Sequence, residues 1–418
     1  MRGDERFQDE MFSCLTSEQR VSQDHLLREI RKPTDVVLVS LNDEFDALYS
    51  ASGRASIAPE YVLRAPLLQV FYAVRSERQL VEQLDYWTTG LLDYWTTGLL
   101  DYNLLFGWFV GLGMDDAAWN HAVFSKNRDR PLTSDVAQRF FAEVNRLAKR
   151  FMSEEHFPVD GTLIQAWTSQ KSFRKKDGSD DGDGTNFHGQ KRSNETHQST
   201  TDPEARLYKK SYGKESKLAY LGHALVENRD GLIAAAMATQ ADVHAERDAA
   251  LLMLDQRQKD SSRRITVGAD KAYDAKNFIA GTRALNVAAH VQKNEKGRRS
   301  NLDLRTTRHA GYTISLSRRW LIEKTFGWLK QTGPLAQVKL RGLVKVDWLF
   351  VFSCAAHNLL RLPLRPQLMR TGRAAPQNPT PFNWQSVWSL TSIGVDRLVL
   401  VGNVDVQPGK AIRFIDGS

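Results

Sequence analysis

The chain has 418 residues, of which 41% are hydrophobic and 25% charged. This length allows two or three domains with cores of their own, and the composition is that of an ordinary soluble protein. A formal net charge of +8 and a pI near 9.3 favour a polyanionic partner over an acidic or neutral one.

Targeting signals and cysteines exclude further classes of protein. Residues 1–10 lack the apolar core of a signal peptide, and the longest apolar run, 348–356, is too short to span a bilayer. Cys14 and Cys354 are too few for a zinc cluster or a disulfide framework. We therefore expect a soluble protein of a reducing cytoplasm, with no membrane partner.

Residues 1–150 are predicted to be mainly helical. Apolar residues recur at helical spacing in 24–30 and 61–74, and Ser76 with Gln79 forms a capping-box pattern. Further helix starts are predicted at Asp115 or Asp116 and at Ser134. Short helices joined by short turns are compatible with a helix-turn-helix-like DNA-binding domain, and also with a helical bundle that binds no nucleic acid.

Residues 84–99 consist of LDYWTTGL twice in exact tandem. An identical repeat of this length is typical of recent slippage in a gene, and it is too short for a solenoid. Thr-Thr-Gly is unfavourable in a helix interior. We therefore expect the segment to be an insertion that loops out between two helices.

From residue 157 onward the pattern predicts strands followed by alternating helices and strands, which indicates an α/β fold with a mixed sheet. Residues 168–217 form a long polar loop whose Lys and Arg suit phosphate contacts, although a solvated linker fits equally well. The tail 367–418 is assigned no role. The remaining predicted elements are a strand at 157–167, a hairpin at 218–239, a helix at 244–259, a strand at 265–270, a helix from Ala275, a strand at 286–292, a basic loop at 293–309, and helices at 318–330 and 343–362.

Three carboxylates stand out in this order of elements. Asp160 lies inside an apolar run and Asp270 at the end of another, where Asp is disfavoured and costly to bury. On the helix at 318–330, Glu323 shares a stripe with Arg319 and Lys330, beside an apolar stripe. Turn aspartates and a surface ion-pair ladder would explain each one singly. Together they suit oxygen ligation of Mg²⁺ or Mn²⁺.

These residues resemble insertion-sequence transposases of the DDE type, specifically the bacterial group named after insertion sequence five. That group's signature is Tyr, two residues, Arg, three residues, Glu, six residues, Lys. Arg319, Glu323 and Lys330 match it, whereas Leu316 stands at the Tyr position. VDGT around Asp160 and GADKAYD around Asp270 are similar to the first and second acid motifs. The resemblance covers residues 10–365.

The resemblance implies an RNase H-like catalytic domain at 151–366, preceded by an all-α DNA-binding domain at 1–150. In that fold the first and fourth strands are neighbours, which would bring Asp160 beside Asp270. Asp274 is the alternative second acid, ranked lower because it follows the strand end by four residues.

The resemblance also implies an activity: metal-dependent cleavage at element ends and strand transfer into target DNA. Asp160, Asp270 and Glu323 would hold two Mg²⁺ or Mn²⁺ ions about 4 Å apart. Double-stranded DNA would be the partner of a homodimer or higher oligomer at the bacterial nucleoid. The cations expected to contact DNA are Arg319, Lys330, Lys271, Arg298, Arg299 and Arg305. Two alternatives remain open: a nuclease or resolvase on the same fold, and an inactive, transposase-derived DNA-binding protein.

Overall fold

The computed structural model describes residues 2–3, 16–50, 52–89, 97–113, 116–177, 192–210, 213, 215–259, 263–294 and 299–363. The predicted tail at 367–418 and Arg298 lie outside these residues. Residues 1–367 form one compact unit.

The part before residue 152 is helical. The predicted helices at 24–30, at 61–74 and after Ser76 are confirmed, and Ser76 Oγ accepts a hydrogen bond from the Gln79 backbone N–H at 3.1 Å. The role of this part in DNA binding stays a prediction. Its helices are α1 (Ser17–Arg20), α2 (Leu26–Ser40), α3 (Asn42–Leu48), α4 (Pro59–Phe71), α5 (Glu77–Thr89), α6 (Thr97–Val110), α7 (His121–Leu132) and α8 (Val136–Ala148).

The predicted helix start at Asp115 or Asp116 is wrong. Asp116 Oδ2 accepts a hydrogen bond from the Gly113 N–H at 2.8 Å and so closes a turn. Helix α7 begins four residues later, because the Asn120 side chain accepts from the Ala122 N–H at 2.9 Å and caps the helix there. By contrast, α8 begins within two residues of Ser134, as predicted.

The expectation that the tandem repeat loops out as a whole is also wrong. Helix α5 continues through the first copy to Thr89, and α6 begins at Thr97 in the second copy. Thr88 and Thr89 therefore occupy a helix end and Thr97 a helix start, where β-branched residues cost less than in an interior. Residues 90–96 lie outside the described part of the chain.

The centre of the protein is a mixed seven-stranded sheet in the described residues, in which β4, β5, β1, β7 and β8 follow one another. Strands β7 and β8 run parallel to β1, whereas β5 runs antiparallel to it. Strand β6 pairs with β5, and β9 pairs with the end of β1. The predicted strands at 157–167 and 265–270 correspond to β1 and β7, and the prediction that they are neighbours is confirmed. The strands are β1 (His156–Ala166), β2 (Phe173–Lys175), β3 (His197–Ser199), β4 (Arg206–Tyr208), β5 (Lys217–Val226), β6 (Ile233–Gln240), β7 (Ile265–Ala269), β8 (Val287–Val291) and β9 (Gln337–Val338).

Both predicted long loops contain regular structure. Within 168–217, β2 and β3 form a small antiparallel ribbon and β4 extends the main sheet. Within 293–309 lies helix α11, which Asp303 caps by accepting a hydrogen bond from the Arg305 N–H at 2.9 Å. These elements are short and are stabilised by contacts with the rest of the fold. The sequences of 168–217 and 293–309 therefore show no hydrophobic periodicity that would have predicted them. The remaining helices are α9 (Ala245–Lys259), α10 (Lys276–Ala284), α11 (Leu304–Arg308), α12 (Ala310–Arg318), α13 (Trp320–Gln331) and α14 (Leu343–Arg361).

Helices cover both faces of the sheet. Phe157 and Val267 pack with Phe278 and other apolar residues of α9 and α10 in one buried core. On the other face, the Phe350 ring of α14 lies where a side chain at Gly222 would stand, 2.5 Å from a Cβ built there. This close approach explains the glycine in a central strand.

Helix α14 joins the sheet to the helices of the first part. The Asn358 side chain accepts from the Ile233 N–H at 2.9 Å and donates to Asn145 Oδ1 at 2.8 Å, and the rings of Phe140 and Phe352 are 5.3 Å apart. Among the described helices, only α14 is long and apolar enough to cross a membrane. Most of it is buried in this core, as expected of an interior helix.

Candidate active site

Asp160 and Asp270 come to the same edge of the sheet. The parallel register of β1 and β7 pairs Phe157 with Val267 and Pro158 with Gly268. The paired positions end there, and two more residues in the same register would bring Asp160 level with Asp270. The charge of Asp270 acts on the Asp160 carboxyl, which places the two side chains near each other. Asp270 follows the end of β7, and its Oδ1 accepts a hydrogen bond from the Ala272 N–H at 2.8 Å. The two carboxylates are thus neighbours although 110 positions separate them in the chain (270 − 160).

Charge and burial act together on Asp160. Burial raises the pKa of its carboxyl, and the nearby Asp270 adds to that rise. Lys210, the Gly161 N–H and Arg319 oppose it. Lys210 is tied to the same place, since its Nζ donates to the Gly161 carbonyl at 2.7 Å.

Arg319 stands at the junction of α12 and α13, one helical turn before Glu323. Its Nε is buried and has no hydrogen-bond partner among the described residues. A guanidinium with an unused donor near the Asp160 carboxylate is suited to an incoming anion such as a phosphate oxygen. Lys330 lies on the same helix about 16 Å further along its axis. It can therefore reach a different phosphate from Arg319.

Glu323 lies in the first turn of α13 and is exposed. The apolar stripe predicted beside it is confirmed, because Ile322, Phe326 and Leu329 are buried. The exposed position leaves the Glu323 carboxylate open to solvent and to ligands. Its membership of the site stays a prediction.

The Asp160–Asp270 pair fits a divalent cation in the kind of ligand that it offers. Two adjacent carboxylates supply the oxygen ligands that Mg²⁺ and Mn²⁺ prefer, and a cation would offset their mutual repulsion. In the described ranges, however, no three His, Cys, Asp or Glu side chains stand close enough together to hold a metal ion as placed. A third ligand would therefore have to move towards the pair.

Asp274, the alternative second acid, has a structural role. Its carboxylate is fully buried and accepts hydrogen bonds from the backbone N–H groups of Asn294 and Asn301 at 3.1 and 2.8 Å. Burial opposes ionisation, but these hydrogen bonds together hold the pKa of Asp274 below its ordinary value. The carboxylate is thus committed to anchoring the loop after β8.

The cations predicted to bind DNA lie on the surface where the structure describes them. Lys271 follows Asp270 directly and is exposed, as are Arg299 and Arg305. Arg305 pairs with Asp303 at 2.9 Å, and this contact lowers the pKa of Asp303 to about 2. Asp303 therefore competes with phosphate for Arg305.

Sequence reasoning missed Glu246 and Lys210. Glu246 occupies the first turn of α9, where an acidic residue is common for reasons of helix stability alone. The available signal was Gly161, because a glycine inside a strand often marks the close approach of another group.

Two family models match the chain. Residues 15–88 match a model described as a transposase domain (DUF772), and residues 152–359 match one described as a transposase DDE domain. No curated protein matches the chain. The two matches, together with a mixed α/β fold consistent with an RNase H-like DDE domain, indicate a DDE transposase. Enzymes of this class act on DNA and generally use divalent metals.

Proposed function

We propose that this protein cleaves DNA at the ends of an insertion sequence and joins the freed 3′ ends to target DNA, as a member of the insertion-sequence-five group. The observation that carries the proposal is the proximity of Asp160 to Asp270, where the pairing of β1 with β7 ends, in a chain that matches a transposase DDE domain. The unused donor of Arg319 beside them supplies a contact for the scissile phosphate.

Asp160 and Asp270 would hold Mg²⁺ or Mn²⁺, and Glu323 would complete the ligand set from α13. Two such ions, when bound, activate the attacking oxygen and stabilise the leaving oxygen of an in-line displacement. Arg319 orients the phosphate at the carboxylates, and Lys330 holds the backbone further along α13. Lys271, Arg298, Arg299 and Arg305 bind flanking phosphates. The helices before residue 152 would recognise the element ends, with the protein acting as a dimer or higher oligomer in the cytoplasm, at the nucleoid.

The test is to incubate purified protein with labelled element ends, target plasmid and Mg²⁺. Cleaved ends and joined products are both expected, and both should disappear in the Asp160→Asn variant. Cleavage without joining would identify a metal-dependent nuclease or resolvase instead. Specific binding with neither product would identify an inactive DNA-binding protein.

A further inference from the structure

A third carboxyl group, that of Glu246 in helix α9, lies near the Asp160–Asp270 pair. A Cβ built at Gly161 would lie 2.8 Å from both Cγ and Oε1 of Glu246. The Glu246 side chain therefore lies directly against the backbone of the residue that follows Asp160. Any larger residue at position 161 would occupy the same space.

The charges that act on the Asp160–Asp270 pair also act on Glu246. Burial raises the pKa of its carboxyl, and the nearby charges of Asp160 and Asp270 raise it further. Lys210, which donates to the Gly161 carbonyl, opposes that rise. As an acceptor-only group with two oxygens, the ionised Glu246 carboxylate has lone pairs to give to a cation.

We propose that Glu246 is a further ligand to the divalent cation at Asp160 and Asp270, joining them from the α9 side. The inference rests on the proposed function, because it requires a cation at that pair. As placed, the three carboxylates of the described chain do not yet converge to ligand distances. Glutamate has three rotatable side-chain bonds, and Glu246 would have to turn about them towards the pair to join it. Glu246 and Glu323 would then approach the pair from α9 and α13 respectively.

The experiment measures Mn²⁺ binding to the full-length protein without DNA, by loss of the free-ion paramagnetic resonance signal. Glu246→Gln keeps the shape of the side chain and should weaken Mn²⁺ binding by roughly tenfold or more. The matched control is Asp248→Asn, an exposed acid two residues later on the same helix, which should stay within about twofold of the parent. Thermal denaturation in EDTA verifies that each variant is folded.

A second variant displaces Glu246 without removing its charge. Gly161→Ala places a methyl group against the end of the Glu246 side chain, which can swing aside at little cost. It should weaken Mn²⁺ binding in the same direction as Glu246→Gln, and the double variant should be no weaker than Glu246→Gln alone.

The outcomes separate the two proposals. If Asp160→Asn loses Mn²⁺ binding while Glu246→Gln and Gly161→Ala retain it, Glu246 is not a ligand and the proposed function stands. Loss in Glu323→Gln but not in Glu246→Gln would likewise assign the third ligand to α13 alone. If Asp160→Asn binds Mn²⁺ as the parent does, both the proposed cation site and the role of Glu246 are overturned.

Discussion

The Asp274 carboxylate accepts two hydrogen bonds from Asn301, one from its backbone N–H at 2.8 Å and one from its side-chain amide at 3.2 Å. The aspartate follows β7 and the asparagine precedes α11, so this contact fixes the basic loop that follows β8. Asp274→Ala would leave the backbone N–H groups of Asn294 and Asn301 without this buried acceptor. We expect a loss of about 2–3 kcal/mol of stability.

This loss should be local in origin and separate from metal binding. Amide hydrogen exchange at Asn294 and Asn301 should accelerate, whereas Mn²⁺ affinity should be unchanged. The exposed acid Asp248 provides the control, as Asp248→Ala should alter neither quantity. A drop in Mn²⁺ affinity in Asp274→Ala, with loop exchange unaltered, would return Asp274 to the position of second catalytic acid.

Asp160→Asn should abolish cleavage and stabilise the metal-free protein. Because burial raises the pKa of Asp160 above its ordinary 3.8, the fold favours the protonated carboxyl. That stabilisation is present at low pH and is lost as the pH rises through the raised pKa. At pH 7 the variant avoids this cost, and we expect its melting temperature in EDTA to rise by about 2–4 °C.

Added Mn²⁺ should reverse the order of the two melting temperatures, because it stabilises the parent protein but not Asp160→Asn. DNA binding, measured by gel shift in EDTA, should be largely retained in the variant. The same pattern is expected for Asp270→Asn. A melting temperature in EDTA that falls on substitution would show that Asp160 is held as a favourable ion and would contradict the repulsion inferred between the two acids.

Acid should destabilise the protein through His156. Burial, with the neighbouring His290, lowers the pKa of His156 from its ordinary 6.5 to about 4. Its Nδ1 contacts the Asn228 amide at 3.0 Å, and its Nε2 is buried without a partner among the described residues. Since the folded state favours the neutral ring, its stabilisation is complete above pH 6.5 and is lost as the pH falls towards 4.

The measurement is the melting temperature at about pH 7 and about pH 5, on either side of the ordinary histidine pKa. His156→Gln should reduce the fall in melting temperature between these two pH values, because the variant lacks the one proton that His156 takes up on unfolding. The exposed His244 offers the control, because His244→Gln should leave the fall unchanged. An undiminished fall in His156→Gln would assign the acid sensitivity elsewhere, with the buried His223 as the next residue to test.

Salt dependence should identify the cations that bind DNA. Neutralising Lys271, Arg299 or Arg305 singly should lower the salt slope of DNA binding by about 0.9 for each phosphate that is no longer neutralised. Asp303→Asn releases Arg305 from its ion pair and should leave the slope equal or steeper. An unchanged slope after neutralising Arg298, Arg299 and Arg305 together would remove this loop from the interface.

Deleting one copy of the repeat and deleting both copies should have different effects on the soluble yield. Removing 92–99 leaves α5 and its following Gly90 intact, so the chain can still turn before residue 100. Removing 84–99 joins Gln83 directly to Leu100, which takes the place of the buried Leu84, but no residues then remain to separate α5 from α6. We expect soluble yield to be retained or raised in the first deletion and lowered in the second, measured by expression and gel filtration. Equal or better yield from the longer deletion would restore the view that all sixteen residues are an insertion.

The proximity of Asp160 to Asp270 could be predicted because the order of strands and helices after residue 157 matches the RNase H-like fold that the resemblance implies, in which the first and fourth strands are neighbours. Glu246 could not, because an acid in a helix first turn has an ordinary explanation and its contact with Gly161 is a matter of tertiary packing. The error at α7 came from two competing caps. Asp116 and Asn120 both fit the local pattern, and the hydrogen bond from Gly113 to Asp116 decides between them.

Helix α14 has a consequence for how such a protein can evolve. It lies at the end of the DDE match, yet its Phe352 and Asn358 contact Phe140 and Asn145 of α8, which precedes that match. An exchange of the front half between two transposases would separate these partners and leave apolar surface without its complement. Recombinants that keep α8 and α14 from one parent should therefore survive more often than those that mix them. The part proposed to recognise DNA and the part proposed to cut it would then be inherited together.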